Sequence, residues 1–139
     1  MGLFGSFIED EVLNEDKSIE KSIYNLLENE MVHILKFIHQ PNRQSVSWIN
    51  SIFNSSNMIN KKFVKSIHIE NSDLDKIYLR ASKEASRQTG INISKIQPTR
   101  PIEFTFKNLT NKEWLYNYLY SIAYSDEIRN MLDKAIKTK

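Results

Sequence analysis

A proline at position 41 stands between two strongly apolar runs, and it restricts the chain more than any other residue. From Met31 to Ile38, six of eight residues are apolar. Proline disfavours helical geometry in the residue before it, so a helix carrying that run ends by Gln40. The turn Gln40-Pro41-Asn42 is then followed by a second helix opening near Ser45 to Ser47. Ile19, Ile23, Leu27, Met31, Ile34 and Ile38 recur at helical steps before the proline; Ile49, Ile52, Phe53, Ser56, Ile59, Phe63 and Ile67 do so after it. Two helices that each bury one face fold back on each other. The spacing therefore predicts an all-α, single-domain bundle of about four to six helices, with an antiparallel hairpin around Pro41 at its core. Ile34, Leu35, Ile38, Pro41, Trp48, Ile49 and Ile52 are its expected core or structural residues.

The remainder extends that pattern. Residues 1–13 are expected to be an N-terminal arm that tucks Leu3, Phe4, Phe7 and Ile8 onto the core. Asn14 is the expected N-cap of the first helix, with acids in its first turn. Asn25, Asn29, His33, Lys36 and Gln40 make a polar stripe along it. Asn54-Ser55-Ser56-Asn57 has poor helix propensity, so the second helix either breaks there or uses its small residues for close approach. Asn71-Ser72-Asp73 reads as the cap of a third helix with Leu74, Ile77, Tyr78, Ala81 and Ala85 inside, and Gly90 suits its left-handed end. Residues 91–110, with Pro98 and Pro101, read as a loop packed over the core; Ile102–Phe106 alternates, but a lone strand has no partner. Thr110 to Glu113 reads as a capping box for a helix holding Trp114, Leu115, Tyr118, Leu119 and Ile122. Ser125-Asp126-Glu127 opens a last helix with Ile128, Met131, Leu132 and Ala135 inward, and with Lys134, Lys137 and Lys139 at its negative end.

Several chemistries are disfavoured at once. A length of 139 residues fits one domain, 1–139. There is no cysteine, hence no thiolate metal site. Gly2, Gly5 and Gly90 are the only glycines, so no Walker loop or dinucleotide fingerprint can be built. His33 and His39 fall on different helix faces and no H-E-x-x-H occurs, so neither a metal nor a cofactor is expected. No serine stands in a nucleophile elbow. No apolar run approaches the roughly 20 residues of a membrane span, and the cytosol is the default location. The acidic pairs Glu28/Glu30 and Asp126/Glu127 read as solvated helix surface and N-cap chemistry.

What remains is charge. Net charge is +2, yet residues 1–30 carry eight acids against Lys17 and Lys21, whereas residues 31–69 carry no acid. Lys36, Arg43, Lys61, Lys62 and Lys65 make that second stretch basic. With Trp48 nearby they are candidates for tracking a phosphate backbone; alternatively the acidic and basic segments face each other or water. His33 beside Lys36 is a candidate base, and also a plain hydrogen-bonded histidine.

His33, Leu35, Lys36, Phe37, Gln40, Pro41, Arg43, Ser47 and Trp48 together resemble the central signature of the bacterial domain of unknown function family 29, mostly seen in cyanobacteria. Tyr78, Ala81, Ala85, Thr89-Gly90-Ile91, the proline segment and Trp114-Leu115 resemble its second signature. The resemblance covers roughly residues 24–115, within a family-like core of 14–115, and implies an almost wholly helical domain without supplying a mechanism. That family's first helix usually begins with an aromatic D-x-Y-x-W segment, where this chain has GLFGSFIED. The family usually ends soon after the Trp-Leu pair; here 116–139 form a helical extension with Tyr116, Tyr118, Tyr120 and Tyr124. Such an extension covers either the domain's own surface or a second copy.

The reading is a non-catalytic protein-interaction module, homo-oligomeric, with protein (self or other) as partner. The alternatives are a nucleic-acid-associated protein using the basic 36–65 side, and an enzyme of unknown reaction with a site along His33, Lys36 and Arg43.

Overall fold

A computed structural model describes residues 3–63 and 67–138, all helix, turn or loop. Six α-helices follow in order: α1 (Leu3–His39), α2 (Val46–Lys62), α3 (Asn71–Thr89), α4 (Phe106–Leu109), α5 (Lys112–Ser121) and α6 (Asp126–Lys137). The expected hairpin is present. α1 stops at His39, Pro41–Arg43 form a single 3-10 turn, and Ser45 caps α2 by accepting from the Trp48 amide at 3.3 Å.

Side-chain contacts fix how the first three helices lie. Asn29 donates to the Ser55 hydroxyl at 2.9 Å, and Lys36 stands over the Trp48 ring. Both pairs fit one antiparallel register of α1 on α2. Glu28 meets Arg80 and Lys36 meets Gln88, two pairs with the same offset in sequence, so α3 runs parallel to α1. Helix α1 is thus the member that α2 and α3 share. Its residues Ile23, Leu27, Met31, Ile34 and Phe37 are fully buried, as are Ile49, Ile52 and Ile59 of α2. Each such side chain contributes on the order of 1.5–3 kcal/mol of transfer free energy. Pro41 and Gly90 are exposed, and Ile38, Trp48 and Trp114 are half-buried against the core. Pro41 and Gly90 serve by backbone geometry rather than burial.

Several expected boundaries move. α1 begins at Leu3 and runs straight through Asn14, because residues 6–40 contain neither proline nor glycine to stop it. The expected tucking of Leu3, Phe4, Phe7 and Ile8 concerns side chains outside the described residues. α2 is unbroken through Asn54–Asn57, where Ser55 and Ser56 are buried; the small residues serve close approach. Phe63 caps the end of α2 and packs on Phe106 at 5.2 Å, while Ile67 is buried from the following loop rather than from the helix. α3 starts one residue early: the Asp73 carboxylate accepts from the Glu70 amide at 3.0 Å. Gly90 ends it at φ 74.

The stretch from Ile91 to Thr105 has no sheet pairing and is held by polar ties. The Tyr78 hydroxyl donates to the Gln97 carbonyl, and Arg100 reaches both Asp75 and the Phe104 carbonyl. Phe104, fully buried, meets Tyr78, Trp114 and Tyr118 edge-on, and the last two stack at 5.0 Å. Phe106–Leu109, expected as loop, makes one helical turn capped by Thr105. Asn111, not Thr110, caps α5; the Thr110 hydroxyl turns back to the Phe106 carbonyl. Ser125 caps α6 as expected. α5 and α6 form an antiparallel hairpin on α2, tied by Tyr116 to Asp133, by Lys112 to the Thr138 carbonyl and by Arg129 over the Tyr120 ring. Ile128, Leu132 and Ala135 are buried inside the same chain, so the extension covers the domain's own surface.

Candidate functional site

The polar stripe of α1 becomes a seam between α2 and α3. His33 Nδ1 donates to the Asn29 carbonyl at 2.8 Å, which leaves Nε2 as the basic nitrogen. Burial, with Lys36 nearby, lowers its proton affinity below the ordinary value, against the opposing backbone hydrogen bond. Lys36 donates to Gln88 Oε1 at 3.0 Å and sits 4.8 Å above the Trp48 ring, a cation–π arrangement of about 0.5–1 kcal/mol. Gln88 in turn donates to Glu84, which Arg87 grips with two nitrogens. Those bonds, Arg87 first, hold the Glu84 carboxyl down to about 2. His33 and Lys36 are therefore brought together, and Trp48 serves Lys36 from below. Both side chains have structural employment.

The other basic candidates fall elsewhere. Arg43 is exposed in the turn beyond the end of α1. Lys61 and Lys62 occupy the last turn of α2, about 20 Å along the helix axis from Trp48. Lys65 lies outside the described residues. Among the described residues, Lys36 beside Trp48 is thus well separated along α2 from Lys61 and Lys62. Among the described residues no three of His, Asp or Glu gather as a metal site, and no helix is long and apolar enough to cross a membrane.

Two residues, one passed over in the sequence and one read as solvated, prove central. Gln44, buried in the turn, donates to the Phe37 and Ile122 carbonyls and accepts from the Tyr124 amide at 2.8 Å. It fastens the α1–α2 turn to the junction of α5 and α6. Nothing in its local pattern separates it from any other turn glutamine. Glu30 overturns the solvated reading of Glu28/Glu30. Glu28 is half-buried beside Arg80 at 2.8 Å, and Glu30 is completely buried with neither oxygen partnered. Burial pushes its carboxyl well above the usual range. Its place on the row Ile23, Leu27, Glu30, Ile34 was a signal available beforehand. Asp126 and Glu127 are exposed in the first turn of α6, as expected.

One open groove of about 330 Å³ lies between the start of α2 and α6, lined by Val46, Asn50, Met131, Lys134, Ala135 and Thr138. It is mostly apolar and carries one cation.

A model of the family described as domain of unknown function DUF29 matches residues 7–115 of this chain. No curated protein and no solved structure matches it.

Proposed function

The chain belongs to the family of the domain of unknown function DUF29, and from that premise we propose that it acts by binding another protein, in the first place a second copy of itself. One observation carries this reading: α1 outruns the helices that pack on it. In the register set by Asn29–Ser55, α2 ends opposite the neighbourhood of Ser22; in the register set by Glu28–Arg80, α3 begins opposite Ile19. Lys17 and Ser18 are exposed, and the described core contacts of α1 start at Ile19. Leu3–Ser18 then extends roughly 24 Å past its two partner helices. The sequence of that stretch places Leu3, Phe4, Phe7, Ile8 and Val12 at helical steps among five acids. Such a helix gains stability by laying apolar residues on another surface, since isolated helices are marginal in water.

The experiment is size-exclusion chromatography with light scattering on the full chain and on a variant lacking residues 3–18. The expected result is a dimer or larger species for the full chain and a folded monomer for the deletion. A full chain that stays monomeric at high micromolar concentration overturns self-association. The nucleic-acid alternative predicts salt-sensitive retention lost on reversing Lys61 and Lys62.

A further inference from the structure

α1 and α2 pack together, and each carries a buried polar side chain with no hydrogen-bond partner among the described residues. They are the Glu30 carboxyl, at both oxygens, and the Ser56 hydroxyl. The register fixed by Asn29–Ser55 sets them within about half a turn of the same level. No counter-charge is on hand. From Val46 to Asn60, α2 has no ionisable side chain. On α1, Glu28 is matched with Arg80, His33 with the Asn29 carbonyl and Lys36 with Gln88. On α3, Glu84 holds Arg87 and Gln88, and Lys83 is exposed. Arg100 is taken by Asp75; on α5, Lys112 stands over Phe53 and Glu113 is exposed.

We propose that Glu30 is a proton-operated switch in the α1–α2 contact: the helices close on the neutral carboxyl and part locally at this level when it ionises. A carboxylate in that setting has no hydrogen bond and no cation, and admitting water by separating the helices relieves it. The neighbouring Ser55 and Ser56 leave little side-chain bulk to rearrange, so the contact parts there first. Burial alone holds the proton on Glu30 well above the ordinary value of 4.5. Between that value and its own, the folded chain binds one proton more than the unfolded chain. The contribution of Glu30 to stability is therefore fully present below pH 4.5 and is lost as pH rises towards the folded value.

The test compares the full-length chain with E30Q, which mimics the neutral carboxyl and cannot ionise. Unfolding constants are measured in urea from pH 5 to pH 9, together with native-state hydrogen exchange corrected for intrinsic rates. The folding constant of E30Q divided by that of the native chain is expected to climb by up to tenfold per pH unit until Glu30 has ionised, then to level off. In the native chain alone, amides of Met31–Leu35 and Phe53–Ile59 should lose protection over that range before those of Leu115–Leu119. A ratio that does not change with pH overturns the switch, as does a loss of protection spread evenly over the molecule. Should E30Q fail to fold, the carbon-13 titration of the Glu30 carboxyl in the native chain decides instead. A transition well above 4.5 that coincides with the loss of protection supports the proposal, and one near 4.5 ends it.

Discussion

Gln44 shows how much one side chain can hold. It satisfies two carbonyls and one amide, and its bond to the Phe37 carbonyl is buried. Gln44→Ala leaves all three unpaired, and a loss of about 2–4 kcal/mol is expected in urea unfolding. The histidines work through titration. Burial lowers the proton affinity of both His33 and His39, and His39 Nε2 is buried without a partner. A base whose folded affinity is depressed favours the fold above its unfolded value near 6.5 and opposes it as pH falls below that. Glu30 has the opposite sign over part of the same range, so the two are separated in the E30Q background. There, stability should decline on acidification from pH 7 to pH 5, and the His33 and His39 proton resonances should titrate below 6.5.

The elements were legible in unequal measure. The hairpin, α3 and the α5–α6 pair announce themselves through rows of Ile, Leu and Tyr at helical steps, because a helix that buries one face must write that face into its sequence. Caps were harder. Thr110 and Asn111 are both good capping residues, and only the short α4 helix, which claims the Thr110 hydroxyl, decides between them. The start of α1 was misread because Asn14 and its acids look like a helix beginning, yet nothing before them breaks a helix. Gln44 escaped because its importance is made by residues distant in sequence, whereas Glu30 stands on a legible apolar row but reads as an ordinary surface acid. Two substitutions probe this scale. Gly90→Ala meets no atom within 4 Å, so its cost is that of a left-handed backbone alone, about 1 kcal/mol by thermal unfolding. Phe104→Ala empties the middle of an aromatic cluster and should cost about 3–5 kcal/mol by the same measurement.

At the scale of the whole molecule, the family match ends at Leu115 while the core does not. α6 buries Ile128, Leu132 and Ala135, and the α5–α6 hairpin lies on α2. A chain ending at residue 115 should therefore bind a hydrophobic dye and show broadened amide resonances, whereas deletion of 3–18 should leave both unchanged. Within the basic stretch, Lys36 is tied to Gln88, and Lys61 and Lys62 stand at the far end of α2.

The tie between Gln44 and Tyr124 closes eighty residues of chain. Its acceptor and donor partners are synthesised long after the hairpin they secure. While a ribosome still shields Ile122–Tyr124, the first turn stands unfastened. The hairpin is accordingly secured only once that segment has emerged, and a chain stalled before then would offer its unfinished hairpin to chaperones.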